Sequence, residues 1–164
     1  MGLRFIFLFS FLTVILSISA QENTKITAGD IAADFTFIDN HGREAYMSEI
    51  NSDYIVLFFY NPDCEHCHQY LTKMKQDNLL KDFVAQKVVS VIAVAVESSQ
   101  EEFMNTFYEL PILWYKGYCE QCEEIIDNYL MKVPAIFVLD DTKTVVLSDI
   151  STKELKSFLK NIDK

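Results

Sequence analysis

The 164-residue chain carries four cysteines, set as two pairs of identical spacing, Cys64–Cys67 and Cys119–Cys122. Two thiols at i, i+3 on a helix share one face and lie within disulfide reach. Such a pair can carry two electrons: one sulfur attacks a disulfide, and the other resolves the mixed disulfide that forms. The attacking species is the thiolate. At an ordinary pKa of ~8.5 only about 3% of a thiol is ionised at pH 7, whereas near pKa ~7 about half is. The neighbours of the pair therefore matter. In Cys64-Glu65-His66-Cys67, a protonated His66 favours the thiolate, and Glu65 opposes it unless it faces solvent. Both are candidate tuners of the thiol pKa.

Two other chemistries compete. A structural staple is a weak use of this spacing, because closing a four-residue loop contributes about 2 kcal/mol against about 3 for fifteen residues. A metal site is the second. The four cysteines read C-x2-C…C-x2-C, but 51 residues separate the pairs, whereas zinc modules separate theirs by about 15–20. His66 and His68 could also serve copper, with His68 otherwise read as a solvated helix residue and His41 as a turn residue. The chain is therefore expected to use no metal and no cofactor.

The elements around the first pair decide its chemistry. Tyr54 to Tyr60 is a continuous apolar run of strand length, which fits a central strand covered on both faces. Asn61-Pro62-Asp63 stops it, and a helical pattern runs from Cys64 to Gln76. Cys64 thus falls at a helix start, where unpaired N–H groups and the dipole favour a thiolate. A short helix over 79–86 and a buried strand over 88–96 follow. Strands are also expected at 34–39 and 113–115. Ser98 and Ser99, with Glu101 and Glu102, predict a capped helix to about Tyr108. A helix is expected over 120–130, then an antiparallel hairpin of 135–139 with 144–147. Ser151 and Glu154 form a second capping box, opening a helix to about Asn161. The order predicts an α/β domain with a central mixed sheet flanked by helices, its 54–60 to 88–96 crossover parallel and right-handed. If the strand before Cys119 runs parallel to 54–60, the second pair reaches the same sheet edge as the first.

The N-terminus reads as an address. Arg4 precedes an apolar run from Phe5 to Leu16, and Ser17-Ile18-Ser19-Ala20 supplies small residues. That is the layout of a secretory signal, with cleavage expected after Ala20. An uncleaved anchor is the alternative, although the run falls short of the ~20 residues a span needs. Residues 21–164 are read as one domain, with 21–30 polar and frayed. Export to the periplasm, or otherwise outside the cytoplasm, places the cysteines where disulfides persist. The formal charge of −10 becomes −11 without Arg4, which argues against a nucleic-acid partner. At 50% hydrophobic and 23% charged residues, the chain is not disordered.

The chain resembles the thioredoxin-fold family, in particular the exported TlpA/ResA-like thiol-disulfide oxidoreductases of Bacteroidetes-type bacteria. Ala33-Asp34-Phe35-Thr36, Gly42, Tyr54 to Tyr60 leading into Cys64-Glu65-His66-Cys67, and Val133 to Asp140 carry the likeness. It spans about residues 27–162. The resemblance implies that Cys64 is the nucleophile and Cys67 the resolver. It implies a cis Val133–Pro134 bond facing the motif and docking substrate backbone. It also implies protein disulfides or dithiols as partners, together with an electron donor or acceptor. Cys119 and Cys122 are left as an auxiliary dithiol or a structural disulfide.

Two features depart from the family: Tyr60-Asn61-Pro62-Asp63 replaces the usual tryptophan, and strand 54–60 lacks a buried carboxylate to take the Cys67 proton. A peroxiredoxin would resemble Thr-x-x-Cys, but position 61 is Asn. Copper chaperones and redox-inactive binding modules of the same fold are the competing functions.

Overall fold

The computed structural model describes residues 25–130 and 132–162. The expected signal segment and its cleavage site lie outside them. Among the described residues, seven strands form one sheet and five α-helices accompany it. The elements are β1 (Thr36–Asp39), β2 (Glu44–Tyr46), β3 (Tyr54–Tyr60), α1 (Glu65–Gln76), α2 (Asn78–Ala85), β4 (Val89–Val96), α3 (Gln100–Phe107), β5 (Tyr115–Cys119), α4 (Glu123–Asn128), β6 (Ala135–Asp140), β7 (Val145–Leu147) and α5 (Thr152–Ile162). The sheet order is β2-β1-β5-β4-β3-β6-β7. β3 pairs parallel with β4, and β4 with β5. β6 runs antiparallel to β3 and forms the hairpin with β7. The sheet is mixed, as the order of patterns requires.

The strand β3 lies inside the sheet, between β4 and β6, as its unbroken apolar run requires. Ile55 to Tyr60 are all buried. Alternate side chains leave opposite faces, since the strand period is 2. Val56, Phe58 and Tyr60 join Cys67, Leu71 and Met74 of α1, Phe103 of α3, and Leu155 and Leu159 of α5 in one core layer. Ile55, Leu57 and Phe59 join Phe35, Phe37, Ile125, Tyr129, Cys119 and Cys122 in the other. Burying one such side chain contributes roughly 1.5–3 kcal/mol, so a run apolar on both faces is drawn to the sheet centre.

Helix starts follow the capping chemistry. Ser99 and Glu102 exchange hydrogen bonds at α3, where the Ser99 amide donates to Glu102 over 2.7 Å. Ser151 and Glu154 do the same at α5. Ser98, the other capping candidate, is instead buried, with its amide donating to the Cys119 carbonyl.

Three expectations shift. The strand expected at 113–115 begins at Tyr115 and runs to Cys119. Ile112 and Leu113 are exposed, and pairing with β4 and β1 selects the later segment. The helix expected over 120–130 is confined to α4, because the Cys119–Cys122 turn occupies the preceding residues. The N-terminal segment is not frayed over its described part. The Ile26 amide donates to Asn128 O, and Gly29 and Asp30 exchange backbone hydrogen bonds with Val145. The hairpin partner β2 had no distinct signal in the sequence.

Candidate active site

Cys64 is the N-cap of α1. Its backbone is extended (φ −87°, ψ 106°), and its sulfur accepts a hydrogen bond from the Cys67 amide over 3.2 Å. A side chain that caps a helix satisfies one of the first turn's unpaired donors. Here that atom is the sulfur, placed at the positive end of the helix. Cys64 is half-buried, whereas Cys67 is only 2% exposed.

Burial above all, then the hydrogen bond with Cys64, pushes the Cys67 thiol up to about 12; a backbone hydrogen bond with Asn61 acts the other way. One cysteine is therefore open to a partner, and the other is held as a thiol beneath it. Beside Cys67, burial raises the Tyr60 phenol to about 12, the Thr106 hydrogen bond lowering it and the Glu109 and Cys67 charges raising it. Tyr60 thus stays neutral at physiological pH. It packs in the same core layer as Cys67.

The turn before Cys64 is built by its own side chains. The Cys64 amide donates to the Asn61 carbonyl, 3.1 Å, and the Asp63 amide donates to Asn61 Oδ1, 2.9 Å. Asn at the first position and Pro at the second suit such a turn. His68, expected to be solvated, is not simply so. Its Nε2 lies 2.7 Å from the Pro62 carbonyl, and its Nδ1 lies 3.4 Å from Glu109. The sequence signal was slight: a histidine one helical turn beyond the N-cap, after an Asn-Pro-Asp turn.

Glu65 and His66, the candidate tuners, occupy the exposed first turn of α1. Among the described residues neither hydrogen-bonds to a cysteine sulfur, and the His66 ring packs edge-on against Tyr70, 5.0 Å between centroids. The Val133–Pro134 peptide bond is cis. Two shallow depressions flank it. One, of about 230 Å³, holds His66, Tyr70, Pro134 and Ile150. The other, of about 260 Å³, holds Asn61, Glu97, Ile126 and Leu130. Val133 and Lys132 line both. The structure thus brings Pro134 beside the helix start that carries Cys64.

The second pair is separate. Cys119 and Cys122 form a disulfide, with 5.5 Å between Cα atoms, and both are buried. Cys119 ends β5 and is paired with Val96 of β4, so it does reach the same sheet edge. Its side chain, however, lies in the core layer across the sheet from Cys67. The Glu97 amide donates to Cys122 Sγ over 3.2 Å. The four cysteines therefore do not converge on one tetrahedral centre. Among the described residues, no three His, Cys, Asp or Glu side chains are grouped to hold a metal ion.

The sequence profile of the AhpC/TSA family matches residues 28–148. The chain belongs to the AhpC/TSA family. Its fold is thioredoxin-like, in keeping with the TlpA/ResA-like resemblance. Asn61 still stands where the peroxiredoxin motif would have threonine.

A thioredoxin-like protein from Bacteroides caccae is similar over 87% of this chain, at 25% identity and a TM-score of 0.75; the match spans about half, 51%, of that protein's length. A conserved protein of unknown function from Bacteroides fragilis is 29% identical with a TM-score of 0.74, covering 82% of this chain and 99% of its own. A domain of a possible thiol-disulfide isomerase from Cytophaga hutchinsonii shares the fold at 24% identity and a TM-score of 0.70, covering 85% and 95% of the two chains. No curated protein matches the chain.

Proposed function

We propose that this AhpC/TSA family member is an exported thiol-disulfide oxidoreductase that exchanges disulfides with protein substrates through Cys64 and Cys67. The observation that carries the reading is the inequality of the two sulfurs. Cys64 caps α1 and is reachable, while Cys67 lies buried one turn on with its amide on the Cys64 sulfur.

In the reducing direction the Cys64 thiolate attacks one sulfur of a substrate disulfide. The Cys64–substrate bond forms, the substrate S–S bond breaks, and the leaving thiolate takes a proton. Cys67 then loses its proton and attacks Cys64 Sγ, releasing the second substrate thiol. Two electrons pass from the dithiol to the substrate and leave a Cys64–Cys67 disulfide, so the exchange itself needs no cofactor. An electron donor of thiol or disulfide chemistry must reset the pair.

Pro134, with Val133, is the substrate-docking surface beside Cys64. Glu65 and His66, exposed next to Cys64, act on an incoming substrate's charge and on the thiolate through space. The charged start, apolar run and small residues of the first 20 positions support export to an extracytoplasmic compartment. Cys119–Cys122 is a structural disulfide.

The test is trapping. Cys67→Ala protein is expected to accumulate a mixed disulfide with a reduced-and-reoxidised protein substrate, located at Cys64 by mass. Wild-type protein should reduce insulin. Absence of both would remove the reading in favour of a redox-inactive binding module. Titration of the pair against glutathione assigns the direction: a potential near −120 mV marks an oxidant and one near −270 mV a reductant.

A further inference from the structure

The turn that delivers Cys64 has one weak point. Asn61 to Cys64 is a β-turn closed by the Cys64 N–H to Asn61 C=O bond. That bond does not define the orientation of the central peptide, Pro62 C=O and Asp63 N–H. Turns of types I and II share the closing bond and differ by a flip of this unit, and Pro at the second position suits both. Type II needs a positive φ at the third position. Asp63 is not among the residues with positive φ, so the flipped form is not the one present.

Both ends of the central peptide are held from outside the turn's own backbone. The Asp63 N–H is taken by Asn61 Oδ1 at 2.9 Å. The Pro62 carbonyl faces His68 Nε2 at 2.7 Å. A carbonyl oxygen can only accept, so Nε2 carries the proton.

We propose that His68 is a positioning residue for Cys64, clamping the Pro62 carbonyl and so fixing the peptide plane that aims the nucleophile at the start of α1. The inference rests on the exchange reading above.

The arrangement also says which form of the ring clamps better. With Nε2–H donating to Pro62, a neutral ring turns a bare Nδ1 lone pair toward the Glu109 carboxylate at 3.4 Å. The imidazolium donates at both ends. Other charges near the ring are Glu65 and Lys73 of the same helix, which line one hollow with His68. Tyr60 and Thr106 join each other rather than His68.

The chain-length isostere gives a sharp test. Gln places an amide N–H where Nε2 stands, whereas Asn is too short to reach Pro62. The rate at which reduced protein reacts with a small aromatic disulfide is measured at pH 7 for wild type, His68→Gln and His68→Asn. His68→Asn is expected to slow the reaction about fivefold, the factor that one ordinary hydrogen bond makes in an equilibrium. His68→Gln should restore most of that loss. Recovery by the isostere that regains the Pro62 contact, and not by the shorter amide, is what a merely space-filling role for His68 would not produce.

Equal slowing by Asn and Gln, or no slowing by either, would overturn the clamp while leaving the exchange reading intact. A wild-type protein inert toward the disulfide would overturn both.

Discussion

The amide of Cys67 points at the sulfur of Cys64 across 3.2 Å, yet the two thiols live in different media. Cys64 is half-buried and Cys67 is 2% exposed. The same short helix turn thus holds a reagent and its reserve. Reduced protein treated with iodoacetamide at pH 8 should be labelled at Cys64 well before Cys67. With its thiol pushed up to about 12 by burial, Cys67 stays protonated at that pH. Peptide mass mapping over time reads the order, and equal labelling of the two would contradict the burial.

That raised thiol pKa also links stability to pH. An unfolded cysteine ionises near ~8.5, while native Cys67 keeps its proton to about 12. Below ~8.5 both states are protonated and the contribution is fully present. Above it the unfolded chain has lost a proton that the native state retains, so stability falls as pH rises toward 12. The slope from this group is at most about 1.4 kcal/mol per pH unit. Urea unfolding of reduced wild type against Cys67→Ala at pH 8, 9 and 10 should show the variant falling less steeply. Tyr129, raised by burial in the opposite core layer, is common to the two proteins and cancels.

The sheet lies between the two cysteine pairs, with Cys67 and Cys119 in opposite core layers. Replacing Cys119 and Cys122 together by alanine should cost about 2 kcal/mol, the loop-closure value for so short a ring. The equilibrium of Cys64 and Cys67 with glutathione should not move. A shift of that equilibrium, or a Cys64 disulfide to either residue detected by mass, would give the second pair a part in the exchange.

Gly117 lets β1 and β5 meet. A Cβ there would stand 2.5 Å from the Ile38 carbonyl oxygen and closer still to the Phe37 ring, at the point where Asp39 pairs with Gly117. Gly117→Ala must push β1 away or distort β5, at a cost of roughly 1–3 kcal/mol. A lower urea midpoint with unchanged m-value is the expected result. A midpoint equal to wild type would show that β1 yields without cost.

Much of the site could be read along the chain because its determinants are local. Tyr54 to Tyr60 is apolar at every position, so only a strand covered on both faces accommodates it. Asn61-Pro62-Asp63 cannot continue that strand, and Cys64 then opens a helical pattern. The capping boxes at Ser99 and Ser151 are likewise four-residue statements. Such features need no distant partner to take their form.

The rest depended on partners far away in sequence. Leu113-Trp114-Tyr115 and Tyr115 to Cys119 are comparable short runs, and pairing with β4 on one side and β1 on the other chose the second. Sequence spacing brought Cys119 to the right sheet edge, but strand alternation and the packing of Phe35, Ile125 and Tyr129 put its side chain on the far face. His68 looked solvated because its partners, Pro62 and Glu109, come from a turn and from the end of another helix.

By itself, then, the sequence determined the type of each strong local element and the place of Cys64 at a helix start, since propensity, capping and burial act over a few residues. Only the tertiary structure decided which strand neighbours which, which face each sulfur takes and what holds the turn before it. Those choices are made by contacts between segments tens of residues apart.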